Sequence, residues 1–166
     1  MKPDPPVPNN TPVADVAAQS PTPTPKTTSK QDVLAALIGD VYANVTEVDA
    51  RGSAGAYAFS VTVRSPDTGC TQYADWWEVL SEEGELLYRR VLAHSHTEEQ
   101  PFTRSGGPVE IEASQEVVVR AHMSTSGYGG EAMKGSLANG FDIVKLGPDF
   151  APDGADHGPL PDSCAF

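Results

Sequence analysis

The spacing of apolar residues along the chain changes period once, and the change marks where a β-domain begins. Val33, Leu34, Leu37 and Ile38 fall at helical intervals, with Ser29 placed to cap the start and Gly39 to stop it. Residues 31–38 are therefore read as one or two helical turns. From there the period is two. Residues 40–48 supply a first strand, and in the next Tyr57, Phe59, Val61 and Val63 alternate with Ala58, Ser60, Thr62 and Arg64, the mark of a half-buried strand. The turn Ser65-Pro66-Asp67-Thr68-Gly69 ends it. Strands over 73–80 and 85–94 follow, joined by Ser81-Glu82-Glu83-Gly84, where the glycine can take the left-handed position of a short hairpin. Residues 109–112 and 116–123 come next. In the latter, Val117, Val119 and Ala121 share one face and Val118, Arg120 and His122 the other, which is expected to be wet. A glycine-rich loop, 126–130, leads to strands over 132–137 and 141–146. Short strands with turns every 8–12 residues imply an antiparallel sandwich, and no parallel βαβ spacing is available.

Composition separates this middle from its ends. Of 15 prolines, eight lie in residues 1–30 and four in 148–166. The leader, residues 1–31, carries the stretch Pro21-Thr22-Pro23-Thr24-Pro25 and is read as a flexible, semi-rigid spacer with no core to pack on. Residues 148–166, with Asp149, Asp153, Asp156 and Asp162, are expected to be an irregular acidic tail held only at its end. Residues 32–147 form the domain. A length of 166 residues suits one hydrophobic core, and a net charge of −12 repels nucleic acid and anionic membrane surfaces. No apolar run is long enough for a transmembrane segment.

Val117 to His122 followed by Ser126-Gly127-Tyr128-Gly129-Gly130-Glu131 resembles the F strand, F–G loop and G strand of fibronectin type III modules. Ser65 to Gly69, Tyr73-Ala74-Asp75-Trp76-Trp77-Glu78-Val79-Leu80, and His94-Ser95-His96 running into Glu99-Gln100-Pro101-Phe102-Thr103-Arg104-Ser105 are similar to a family of small uncharacterised exported bacterial proteins, over roughly residues 55–137. The resemblance implies an all-β, antiparallel sandwich of seven or eight strands, immunoglobulin/fibronectin type III-like, with disordered tails. It implies export and no particular reaction. Cys70 departs from the family, which has an aromatic residue there, and His122 stands where basic or other polar residues are usual. Both are features of this chain.

Met1 to Pro6 lacks the apolar stretch of a signal peptide, so export requires a signal upstream of Met1, as in a chain trimmed behind a lipoprotein cysteine. A natural cytosolic start is the alternative. Cys70 and Cys164 are the two cysteines, one in a loop and one in the tail. A disulfide between them would fasten the tail to the sandwich in an oxidising compartment; two unrelated free thiols are the other reading.

The candidate chemistry is sparse. His94 and His96 would project from the same strand face, and in a type III-like sandwich His122 would come to the same end, so these three with Glu99 are candidate ligands for Zn or Cu. Glu98 or Asp75 are alternatives to Glu99. Histidines bonded to loop carbonyls and carboxylates are the simpler reading, and no cofactor is otherwise called for. Trp76 and Trp77 must face opposite sides of one strand, so one of them either packs across strands with Tyr88 or Arg90 or offers a ring to a sugar or peptide. With Tyr128 and Arg104 they form a candidate ligand surface, although Arg104 also reads as an anchor paired with an acidic neighbour. The motifs of nucleophilic elbows, zincins and phosphate loops are missing, and no catalytic residue is assigned. The reading is a noncatalytic exported module, periplasmic, outer-membrane-tethered or extracellular, that serves adhesion, assembly or the binding of a protein or glycan through its loops, with a metal-binding protein or metal-dependent hydrolase using His94 and His96 as the alternative.

Overall fold

A computed structural model describes residues 1, 3 and 41–165; the leader and the helical turns expected at 31–38 lie outside the described residues. Among the described residues, eight antiparallel strands form two sheets. Strands β1 (Asn44–Ser53), β2 (Ala56–Arg64) and β5 (Phe102–Val109) make one, in the order β1-β2-β5. Strands β3 (Ala74–Ser81), β4 (Leu86–Val91), β6 (Val117–Met123), β7 (Glu131–Ser136) and β8 (Gly140–Lys145) make the other, in the order β4-β3-β6-β7-β8. The all-β sandwich expected from the sequence is the fold observed. Among the described residues no helix is long and apolar enough to cross a membrane.

The core lies where the alternation puts it. Tyr57, Phe59, Val61 and Val63 of β2 face Trp77 and Val79 of β3 and Val117, Val119 and Ala121 of β6, all buried. Trp77 is the inward tryptophan and packs on Tyr88, ring centroids 5.7 Å apart. Tyr88 in turn explains a glycine on the opposite sheet, because a Cβ at Gly106 would come within 2.6 Å of the Tyr88 hydroxyl. The β3–β4 hairpin forms as expected. Gly84 has φ 90° and its N–H donates to the Ser81 carbonyl at 3.0 Å.

Three features depart from the sequence reading. β1 lies further along, at 44–53 and not 40–48. β5 had no counterpart, because Phe102-Thr103-Arg104-Ser105-Gly106-Gly107-Pro108-Val109 holds two glycines and a proline; it sits at a sheet edge, where such residues are tolerated. The third departure has the largest consequence. The outer face of β6 is not wet, and every residue of both β3 and β6 is buried. The C-terminal segment covers it. Although irregular apart from a short 3-10 turn at Pro152–Asp156, this segment is a strap held along its length and not a tail held at its end. Its end is fastened as well: Cys70 and Cys164 form a disulfide, and the Ala165 N–H donates to the Ala93 carbonyl at 2.6 Å.

The two faces of β2 supply a stability test. Val61 has no exposed surface, whereas Thr62 lies on the outer face with its hydroxyl 2.9 Å from that of Thr103. A carboxylate at position 61 would be buried without a partner, costing several kcal/mol out of the roughly 5–15 kcal/mol of a typical domain. Val61→Asp is therefore expected to abolish cooperative thermal unfolding followed by circular dichroism, while Thr62→Asp melts within a few degrees of the parent.

Candidate functional site

The outer face of the five-stranded sheet carries a row of charge. Glu78 of β3 stands directly opposite Arg89 of β4 on one side and Arg120 of β6 on the other. Its side chain has no exposed surface. One carboxylate oxygen accepts from Nε of Arg89 at 2.8 Å and from its Nη2 at 2.5 Å, and the other accepts from Nε of Arg120 at 2.8 Å. The terminal guanidinium nitrogens reach the strap. Nη1 and Nη2 of Arg120 donate to the carbonyls of Phe150 and Ala151 at 2.9 Å each, and Arg89 donates to those of Gly154, His157 and Pro159.

Two residue pairs along the same strands, and so on the same face, a second row begins with Trp76, which pairs with His122 across the β3–β6 ladder. Trp76 is 3% exposed, so it is no open stacking platform. Its indole is sandwiched between the His122 imidazole, 3.8 Å away and nearly parallel, and the Arg89 guanidinium, 4.5 Å from the ring centroid. The Trp76 Nε1–H donates to the Tyr128 hydroxyl at 3.1 Å. Tyr128 also lies edge-on to His122 and face-on to Arg120, 3.5 Å from the guanidinium carbon. Burial, reinforced by the Glu78 carboxylate, pushes the Tyr128 phenol up to about 12, so it stays protonated.

His122 is thereby held on several sides. Its Nδ1 lies 2.7 Å from Oδ1 of Asp75, and since a carboxylate only accepts, the proton sits on Nδ1. Nε2 is left on the side of Gly127, where a Cβ would be 3.8 Å from it. Gly127 and His122 both line a cavity of about 530 Å³, walled also by Tyr42, Tyr128, Gly129, Glu131 and Phe150. Gly129 has φ 154° and packs against Tyr42, whose ring would stand 2.6 Å from a Cβ there. The loop between β6 and β7 thus forms one wall and the strap the other. Of the ligand surface expected from the sequence, Tyr128 lines the cavity, Trp76 and Trp77 are buried, and Arg104 lies elsewhere.

His94 and His96 form a separate cluster. Their ring centroids are 4.6 Å apart, and His96 stacks on Phe102 at 3.8 Å. The expected convergence with His122 does not occur, because His122 is turned to Asp75 on the outer face of β6. Among the described residues no group of three or more His, Cys, Asp and Glu side chains is placed to hold a metal ion. Glu99 pairs instead with Arg104, 2.7 Å between Oε2 and Nη2, and this hydrogen bond holds its carboxyl below the usual range.

Sequence reasoning missed Asp67, whose side chain is fully buried. It accepts from Ser65 Oγ at 2.7 Å, from the Ala74 N–H at 2.9 Å and from the His96 N–H at 2.8 Å, and so ties three stretches of chain together. The available signal was an aspartate in a Pro-Asp-Thr-Gly turn, where the carboxylate can accept from nearby backbone.

The chain is similar to a Halomicrobium mukohataei protein named "Putative lipoprotein", 42% identical over 121 residues. The match takes in 72% of this chain and 59% of that protein, so the chain spans less than two thirds of its relative's length. No family model matches the chain, and no solved structure does.

His96 generates a pH prediction. Neither ring nitrogen has a hydrogen-bond partner, and burial, followed by the nearby charge of Arg104, pushes the imidazole below its ordinary 6.5. The unfolded chain then takes up this proton more readily than the folded one. Stability from this group is complete above the ordinary histidine value and is lost as the pH falls through it toward the lower folded value. His96→Phe, which keeps a ring against Phe102, is expected to flatten the fall in melting temperature between about pH 7 and about pH 5. An unchanged slope would show that His96 titrates freely in the folded protein.

Proposed function

We propose that the chain is an exported, noncatalytic module of the fibronectin type III kind that binds a hydroxyl-bearing ligand, a glycan, in the cavity between the β6–β7 loop and the strap. The disulfide supports export, since such bonds persist in oxidising compartments, and the name of the Halomicrobium relative agrees with it. Strand order supports the type III reading: β1-β2-β5 and β3-β6-β7 have the neighbour relations of strands A-B-E and C-F-G in immunoglobulin-like sandwiches. The Pro/Thr-rich leader would set the module away from an envelope surface.

One observation carries the binding reading. His122 is immobilised by Asp75 and Trp76 and lines a cavity whose other walls include three aromatic rings, Tyr42, Tyr128 and Phe150. Sugars combine apolar ring faces with directional hydroxyls, and a cavity of aromatic walls with a few fixed polar groups suits both. Glu131 adds an acceptor at the wall.

Trp76 reports on the site because it lies against His122. Titration with neutral mono- and disaccharides (glucose, mannose, maltose and cellobiose) is expected to give a saturable change in tryptophan emission for at least one sugar. The change should vanish in His122→Ala and weaken in Tyr42→Ala, with cooperative melting retained. If no sugar alters either the emission or the amide resonances of Gly127, Gly129 and Gly130, the glycan reading fails.

A further inference from the structure

The row Arg89–Glu78–Arg120 holds two positive charges and one negative, so one unit of positive charge is left over beneath the strap. Among the described residues no second carboxylate pairs with either guanidinium; the four terminal guanidinium nitrogens reach five strap carbonyls, Nη2 of Arg89 touching Glu78 as well. At Arg120 the imitation of an anion is close. Nη1 and Nη2 of one guanidinium meet the oxygens of two consecutive residues, Phe150 and Ala151, at 2.9 Å each, as they would meet the two oxygens of a carboxylate.

The cover itself is loosely built. None of the residues of its 3-10 turn is buried. A cavity of about 530 Å³ opens on one side of it, reaching Arg120, and one of about 320 Å³ on the other, reaching Glu78 and Arg89. At Gly154 it lies close against the row, and a Cβ there would collide with Nη2 of Arg120. The Cys70–Cys164 disulfide tethers the far end, so a displaced strap stays attached.

We propose that Arg89 and Arg120 form an oxoanion-binding site and that the strap carbonyls are its resident stand-in, displaced when a carboxylate- or phosphate-bearing ligand competes for the two guanidinium groups. The site adjoins the His122 cavity, which Arg120 also lines, but it is argued from the charge of the row and not from what that cavity binds. Charged acceptors form stronger hydrogen bonds to guanidinium than neutral carbonyls do, so competition favours the anion whenever the strap opens.

The test uses the full, oxidised chain with inorganic phosphate and with acetate as probes, against chloride at equal ionic strength. In the unaltered protein, hydrogen exchange of the amides in 150–160 is expected to quicken as phosphate or acetate is added and to stay constant in chloride; which of the two acts identifies the oxoanion. Gly154→Val, whose side chain would wedge between the strap and Nη2 of Arg120, should pry the strap off while every residue of the row is kept, and should tighten binding of that anion at least about tenfold by calorimetry, a gain equal to ~1.4 kcal/mol. Gly147→Val, at a strap position with nothing within 4 Å of a Cβ, should behave as the parent does. Adding Arg120→Gln to Gly154→Val should remove the binding. Exchange that ignores both anions in the unaltered chain, or a lifted strap in Gly154→Val with no gain in affinity, would overturn the proposal, and the first of these readouts holds even if Gly154→Val does not fold.

Discussion

A glutamate with no exposed side-chain surface, flanked in its own cross-strand row by two arginines, constrains everything on the outer face of this sandwich. Burying one ion costs several kcal/mol, and an ion pair repays that only if the remaining donors find acceptors. Glu78 accepts from two nitrogens of Arg89 and one of Arg120, and donor capacity remains on the terminal nitrogens of both guanidinium groups. A bare sheet would give them to water. This chain gives them to the backbone of residues 150–159, and the irregularity of that segment follows: its carbonyls must turn toward the sheet, which is incompatible with pairing them in a strand or helix. Its glycine at 154 follows too, because a side chain there would occupy the space of the Arg120 guanidinium.

The strap then shapes the candidate site. With residues 146–155 laid over β6, the β6–β7 loop acquires an opposing wall and a cavity forms beside His122. Trp76, which would be an exposed ring on an uncovered sheet, becomes the spacer between Arg89 and His122. The same end of the sandwich carries the Asp67 junction and the disulfide, so the turn at 65–69, the loop after β4 and the chain terminus are fixed to one another. Rigid loops around a cavity are the usual place for recognition on such scaffolds.

What could be read from sequence was what alternation encodes. The inward residues of β2 and β6 were legible because period two survives in them, and the β3–β4 hairpin because Gly84 marks its turn, whereas adjacent Trp76 and Trp77 left the inward face of β3 open. β5 was not, since Gly106 is dictated by a tyrosine on the other sheet and Pro108 by an edge position, neither of which is local. The strap was least legible. It is held through main-chain carbonyls, which leave no side-chain pattern, and its acidic residues imitate a solvated tail. The informative signal lay in the partner strands: Glu78, Arg89 and Arg120 interrupt otherwise apolar stretches, and charge in such strands demands a cover. The histidines misled for a related reason. Strand topology does bring His96 and His122 toward one end, but Asp75 and Phe102 each claim one ring.

The central claim is that Glu78 organises both the sheet face and the strap. Hydrogen exchange of Glu78→Gln, compared with the parent at a temperature where both are folded, tests it most directly. Loss of the carboxylate should misplace both guanidinium groups, so amides in 150–160 are expected to exchange faster by about tenfold or more while those of β2 and β5 keep their protection. A folded Glu78→Gln protein whose strap is as well protected as the parent's would contradict the account.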